Sequence, residues 1–277
     1  MPKSLTDLFT LEQRIAVITG GAGLLGTKHA EAIAIAGGIP VLWDIAGPAA
    51  EQQAARLAGQ YHTPVHAYQV DITQPGEVQA AAAKVESQVG PIAILINNAA
   101  NNPKAEAPSD VPWSRFESFS IDQWQADLAV GLTGAFLCSQ VIGAEMARRG
   151  SGVILNVSSD LGVIAPDQRI YRQDGLPEAR QPVKPVTYSV VKTGLIGLTR
   201  YLSTYWANSG VRVNAISPGG VYNGQPDDFV QKLTQLIPLG RMANIDEYQA
   251  AIIFLCSQAS TYMTGANLIM DGGRTTW

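Results

Sequence analysis

The chain has 277 residues, 46% hydrophobic and 15% charged, a globular composition with length for one large core or two modest ones. Its formal charge of −4 offers no basic footprint, so neither nucleic acid nor an anionic membrane is an expected partner. Met1–Glu12 lacks a secretory apolar run and no segment reaches the roughly 20 apolar residues of a membrane span, which points to a cytoplasmic protein.

Apolar runs alternate with amphipathic stretches along the whole chain. Arg14–Thr19 reads as a buried strand ending on Gly20 and Gly21, Leu24–Ala36 as a helix, and Ile39–Asp44 as the next strand. Pro48–Ala58 is helical, Val65–Val70 strand-like, Pro75–Val89 helical and Ile92–Ile96 strand-like. Ile121–Arg149 predicts one long helix, followed by a strand over Gly152–Val157, a second long helix over Thr187–Asn208 and a strand over Val211–Ile216. Ile245–Ser257 closes as a helix and Asn267–Met270 as a short strand. Strands alternating with helices imply right-handed crossovers and a parallel sheet covered on both faces. The fold class is therefore α/β: a doubly wound, Rossmann-type single domain over 1–277 with a seven-stranded parallel sheet.

Two stretches interrupt the rhythm, near 101–120 and 167–185. Both are longer than ordinary connections and stand as candidate substrate loops. Cys138 and Cys256 sit in apolar helical runs and read as small buried hydrophobes. His29, His62 and His66 do not cluster with acids or cysteines at ligand spacing, so no metal site is expected.

Thr19-Gly20-Gly21-Ala22-Gly23-Leu24-Leu25-Gly26 follows the first strand and opens a helix. Such a turn lets backbone amides approach a pyrophosphate at a helix N-terminus. Asp44 ends the second strand, where a carboxylate accepts hydrogen bonds from both ribose hydroxyls and repels a 2′-phosphate. The nearest cation, Lys28, lies inside the helix, so the expected cofactor is NAD.

Tyr188-Ser189-Val190-Val191-Lys192 places a phenol and an ammonium on one helix face. With Asn156-Val157-Ser158-Ser159 before it and Asn214 to Gly220 after it, the chain resembles the short-chain dehydrogenase/reductase family over nearly its whole length. The resemblance implies catalysis by Ser159, Tyr188 and Lys192. It implies cofactor contacts from Gly20, Gly23 and Leu25 in the turn, from Asp44, and from Asp71 and Ile72 by the adenine. Asn98 and Ala99 after the fourth strand, Tyr188 and Lys192, and Pro218, Gly219 and Val221 after the sixth complete that set. Two departures stand out: Leu24 occupies the middle glycine position of the turn, and Gly131 stands where the family has a fourth catalytic Asn. A water, Asn97, Asn98 or another nearby polar group must then take that role.

A free phenol, with a pKa of about 10, is too weak a base near neutrality, and Lys192 with the oxidised nicotinamide is expected to lower it by about 3. Ser159 donates to the substrate oxygen in this reading, with Ser158 as runner-up. Ser159 and Tyr188 are 29 positions apart, an unusually long separation for the family, and the added stretch carries Arg169, Tyr171, Arg172, Arg180 and Lys184. The C-terminal part is similar to flagellin-modification dehydrogenases associated with nonulosonic acid synthesis, which implies a sugar or sugar-derived substrate. A ketoacyl or other small-ketone reductase and a non-catalytic cofactor-binding subunit are the alternatives. The two long helices, with Tyr201, Tyr205 and Trp206, imply a homodimer or homotetramer through the family's helical interface.

Overall fold

The computed structural model describes residues 4–101 and 113–277. The apolar runs form β1 (Ile15–Thr19), β2 (Ile39–Asp44), β3 (His66–Gln69), β4 (Ile92–Asn97), β5 (Gly152–Val157), β6 (Val211–Pro218) and β7 (Asn267–Met270). All pair in parallel in the order β3-β2-β1-β4-β5-β6-β7, a single-domain Rossmann-like sheet. Every residue of β1 and β5 is buried, as expected of strands covered on both faces.

The helices are α1 (Leu5–Phe9), α2 (Leu24–Ile35), α3 (Gly47–Tyr61), α4 (Pro75–Gln88), α5 (Ile121–Leu128), α6 (Gly134–Arg149), α7 (Val186–Tyr205), α8 (Asp227–Thr234) and α9 (Gln249–Cys256). Alternate strand residues feed two cores. Ile18, Leu42 and Leu155 pack with α2, α3 and α9, whereas Val17, Val41 and Ile154 pack with α4 and α6. Full burial of each such side chain contributes about 1.5–3 kcal/mol. Cys256 belongs to the first core and Cys138 to the second, and burial pushes both thiols up to about 12.

The expected helix over 121–149 is interrupted. Ala129–Thr133 forms a π-helical turn between α5 and α6, inserting one extra residue into the helical period at Gly131. This run is long and apolar enough to cross a membrane, a length that the sequence reading assigned to no segment. Half of its most apolar stretch is buried inside the protein, where α6 lies on β4 and β5.

Other departures are local. Residues 245–248 form turns, so the last helix starts at Gln249, and α8 is an addition that the polar sequence concealed. Its first turn carries Asp227 and Asp228, which suit a helix N-terminus. Trp206 is buried against Gly143, while Tyr201 and Tyr205 stack on each other at 5.7 Å and stay exposed. The aromatic set expected at an interface is thus split between core and surface.

Candidate active site

The strand order reverses beside β1, between β2 on one side and β4 on the other, and the crevice at the carboxyl ends of β1 and β4 is where such sheets hold ligands. Gly20 turns the chain out of β1 with φ +63°, a conformation that costs glycine little. A side chain at Gly26 would overlap the Gly20 carbonyl oxygen, so the turn closes on itself only with glycine there. Leu24 is accommodated because it starts α2 with Gly23 as N-cap, and its side chain faces outward.

Asn98 and Thr19 hold this turn from β4. Asn98 Nδ2 donates to the Thr19 carbonyl at 2.9 Å, and Thr19 Oγ1 accepts the Asn98 and Ala99 amides at 3.0 and 3.1 Å. Asp44 is tied to the same turn, accepting Ala22 N at 3.0 Å through Oδ2 and Ala46 N at 3.0 Å through Oδ1. Lys28 is turned away from phosphate duty by Glu31, 2.6 Å from its Nζ. Asp71 Oδ1 accepts from Thr73 N and Oγ1 at 2.9 and 2.7 Å, which holds its carboxyl below the usual range. A glycine turn that opens α2, with carboxylates at the end of β2 and just after β3, fits a dinucleotide.

Ser159, Tyr188 and Lys192 meet at the next two strands. Tyr188 and Lys192 lie one turn apart near the start of α7, with the ammonium 5.8 Å from the phenol ring centre. Ser159 follows β5 and lies within hydrogen-bond reach of the Tyr188 hydroxyl. Lys192 Nζ donates to the Val157 carbonyl at 2.8 Å, and burial lowers its pKa to about 8. Ser158 faces the other way, donating to the Lys192 carbonyl at 2.7 Å and so fastening α7 to the end of β5.

The expected lowering of the Tyr188 phenol is not what the chain's own groups produce. Burial pushes it above its ordinary value, and the charge on Asp160 adds to that. Lys192 spends its ammonium on the Val157 carbonyl rather than on the phenol oxygen. Lys184, from the added stretch, stands over the Tyr188 ring at 3.8 Å, with its own pKa lowered by burial to about 8.

Gly131 opens onto the same place. A cavity of about 10 Å³ is lined by Gly131, Asp127, Thr187, Tyr188 and Lys192 among others. Asn97 and Asn98 do not face it: Asn97 Nδ2 bonds Ser139 and Asn156, and Asn98 holds the glycine turn. Asn101, Asp127 and Thr187 do line it, and Asp127 accepts from Thr187 Oγ1 at 2.5 Å, Gln123 Nε2 at 2.8 Å and Asn101 Nδ2 at 3.2 Å. Asp127 lies four residues before Gly131, on the same helical face, a spacing that could have flagged it.

The stretch 167–185 is ordered over the site. It forms 3-10 turns at Gln168–Tyr171 and Glu178–Arg180, and Gln181 stitches them by donating to the Gln173 and Leu176 carbonyls at 3.0 and 2.8 Å. Ile170 packs on Leu233 of α8, and Tyr171 meets Phe229 of α8 at 5.6 Å. Arg169 is neutralised by Asp167 at 2.6 Å, which weakens an anion-gripping role for it. The other stretch falls largely on residues 102–112, outside the described residues; beyond it, Ser120 caps α5 by accepting Gln123 N at 3.1 Å. Gly219, after β6, lines a second cavity of about 190 Å³ with Tyr248, Arg241 and Asp271. Among the described residues no three His, Cys, Asp or Glu side chains converge as metal ligands.

A parallel sheet of this order, carrying a glycine turn on β1 and a Tyr-Lys pair on the helix after β5, defines a nicotinamide-dependent oxidoreductase. The short chain dehydrogenase family model matches residues 14–171, and one described as enoyl-(acyl carrier protein) reductase matches residues 178–275; the chain belongs to the short-chain dehydrogenase/reductase family. It is similar to D-threitol dehydrogenase of Mycolicibacterium smegmatis, 34% identical over 96% of this chain and 95% of that one. It is also similar to NAD-dependent glycerol dehydrogenase of Listeria innocua, 32% identical over 96% of each chain. Among solved structures, gluconate 5-dehydrogenase from Burkholderia cenocepacia, in complex with NADP and tartrate, superposes with a TM-score of 0.85 at 28% identity, covering 99% of this chain and 100% of that one.

Proposed function

We propose that this protein is an NAD(H)-dependent dehydrogenase that interconverts a secondary alcohol and a ketone on a polyol, sugar or sugar-derived acid. The observation that carries the reading is the convergence of Ser159, Tyr188 and Lys192 in one buried cleft beside the glycine turn. A bound nicotinamide supplies hydride acceptance and donation. The chain's own groups bind and orient the substrate and move its proton: Tyr188 Oη exchanges the proton with the substrate oxygen, and Ser159 Oγ holds that oxygen. Lys192, fixed at Val157, supplies the nearby positive charge. Asp127, bonded to Asn101 and Thr187 on the wall of the small cavity that Tyr188 and Lys192 share, takes the role that the family's Asn would serve.

Several observations support the substrate class. The relatives act, by their names, on threitol, glycerol and gluconate, all polyhydroxylated. The resemblance read in the C-terminal sequence keeps nonulosonic precursors among the candidates, although the relatives named above are polyol and sugar-acid dehydrogenases. Asp44 favours NAD, since its carboxylate opposes a 2′-phosphate and the neighbouring Lys28 is paired with Glu31. Exposed Phe136 on α6 and Val190, Tyr201 and Tyr205 on α7 support a homodimer or homotetramer joined through these helices. The test is turnover of a panel of polyols and sugar acids with NAD and with NADP, read at the absorbance of the reduced cofactor. Oxidation of at least one polyol with NAD preferred supports the reading. No turnover on any of them, with reduction of a ketoester by NADPH, sinks it.

A further inference from the structure

The cation over the Tyr188 ring is fixed there by the backbone on both sides of it. Lys184 precedes Pro185, which confines it to extended backbone, and Pro185 is the N-cap residue of α7. The Lys184 amide donates to Gln168 Oε1 at 2.8 Å and the Val183 amide to Ser114 Oγ at 3.3 Å. Nζ is thereby set 3.8 Å from the centre of the Tyr188 ring, while Lys192 approaches the same ring at 5.8 Å. Two ammoniums thus flank one phenol, and Lys184 lines the cavity that Tyr188 and Lys192 share. Burial lowers each of them to about 8, and their mutual repulsion adds to this at Lys192, yet both stay mostly protonated at about pH 7.

The acids on the page around this pair are already committed. Asp160, which faces Lys184, is clamped by Arg274: Nη1 donates to Oδ2 at 2.6 Å, and both side chains are nearly inaccessible. Its Oδ1 takes the Leu161 amide at 2.8 Å. Asp127, on the cavity wall, accepts from Thr187, Gln123 and Asn101. Arg169 and Arg172, whose planar forks would suit a phosphate, are paired with Asp167 and Glu178. Lys184 therefore brings a point charge to the acid–base phenol, the match for a single negative charge on the substrate.

We infer that Lys184 is a specificity-determining residue that receives a substrate carboxylate, so that the site takes a polyhydroxy acid in preference to the matching neutral polyol. Tyr188 Oη meets the reacting oxygen at the edge of the ring that Lys184 covers from its face. A carboxylate one or two carbons from the reacting carbon then comes within reach of Nζ, where a CH₂OH group would bring no charge. It also offsets the repulsion between the two ammoniums, which a neutral substrate leaves in place. The inference rests on the dehydrogenase reading and narrows it to acids whose reacting hydroxyl lies near the carboxyl end.

Matched pairs that differ only in carboxylate against CH₂OH isolate the charge: both enantiomers of glycerate against glycerol, and D-threonate against D-threitol. Affinities for the complex of enzyme with NADH, which cannot oxidise them, are read at about pH 7 by nucleotide fluorescence. Wild type is expected to bind the better glycerate enantiomer and threonate at least about tenfold more tightly than their polyols, the size of one charged hydrogen bond. Lys184→Gln is expected to bring each acid-to-polyol ratio to within about twofold of unity, and Lys184→Arg, which keeps the charge, to preserve most of it. A wild type that binds the acids no more tightly than the polyols overturns the inference, and so does a ratio unchanged in Lys184→Gln. Equal losses of acid and polyol in Lys184→Gln also overturn it, since they make Lys184 a support of Tyr188 alone. Tighter binding of glycerol phosphate than of glycerate overturns the choice of a carboxylate. A wild type that neither binds NADH nor oxidises any polyol or acid overturns the dehydrogenase reading as well, and that result is seen before any variant is made.

Discussion

A side-chain carbon placed on Gly131 would lie 2.5 Å from Val191 Cγ1, so the π turn and the catalytic helix approach each other at a spacing that only glycine allows. Val191 is the neighbour of Lys192, and it is β-branched and stiff. Restoring the family's Asn at this position would therefore push on α7 where its catalytic pair sits. Gly131→Asn is expected to lower stability by about 1–3 kcal/mol through overpacking. Val191→Ala in the same chain should recover at least half of that loss. Urea unfolding of the two single variants and the double variant measures both, and a Gly131→Asn protein as stable as wild type contradicts the close packing.

Asp44 is expected to govern cofactor choice. Asp44→Ala removes the carboxylate proposed to meet the ribose hydroxyls, which also accepts the Ala22 amide in the glycine turn. Hydrogen bonds to a charged group are worth about 1.5–3 kcal/mol, so NAD affinity should fall by at least tenfold. NADP affinity should stay level or improve, because the repulsion of its 2′-phosphate is gone. Fluorescence titration with both cofactors checks this; parallel loss of both would leave Asp44 as a support of the turn alone.

Much of this was legible in the sequence, for definite physical reasons. Continuous apolar runs can only be buried strands or core helices, and their alternation with longer segments forces parallel crossovers, so the seven-stranded parallel sheet followed. Tyr188 and Lys192 were found because a four-residue spacing is short-range information. Asp160 and Arg274 were not, since 114 positions separate them and neither carries a local signal. The π turn was invisible because one extra residue barely disturbs an apolar pattern already broad enough to cover a helix face. The stretch after Ser159 read as a loop because its order comes from Gln181 and from α8, contacts that no local periodicity encodes.

Lys192 carries a pH signature. Its ammonium has a pKa of about 8 in the folded protein, below the 10.5 of an unburied lysine. Below pH 8 it is protonated in folded and unfolded chains alike, and the folded state bears the full cost of burying the charge. Between about pH 8 and 10.5 the unfolded chain holds more protons, so this cost is relieved and stability rises with pH. Relative to Lys192→Met, wild type should gain on the order of 3 kcal/mol across that window. Denaturant unfolding at several pH values reads the difference, and a flat difference contradicts the burial of a charged Lys192.

The Asp160–Arg274 pair should be costly to break and cheap to replace. Arg274→Met strands a buried carboxylate and is expected to destabilise by about 3–5 kcal/mol, whereas Asp160→Leu with Arg274→Met should recover most of it. Thermal unfolding of the three proteins separates the outcomes. If the single and double variants melt together, the pair is not the clamp that its geometry indicates.

The central claim is that Tyr188 exchanges the substrate proton in a site that binds NAD independently of that phenol. Its most direct test is Tyr188→Phe, assayed for polyol oxidation and, in the same preparation, for NAD binding. Turnover should fall by at least about a hundredfold, as for loss of a general acid–base group, with NAD affinity changed by no more than a few fold. Full activity in Tyr188→Phe would contradict the account.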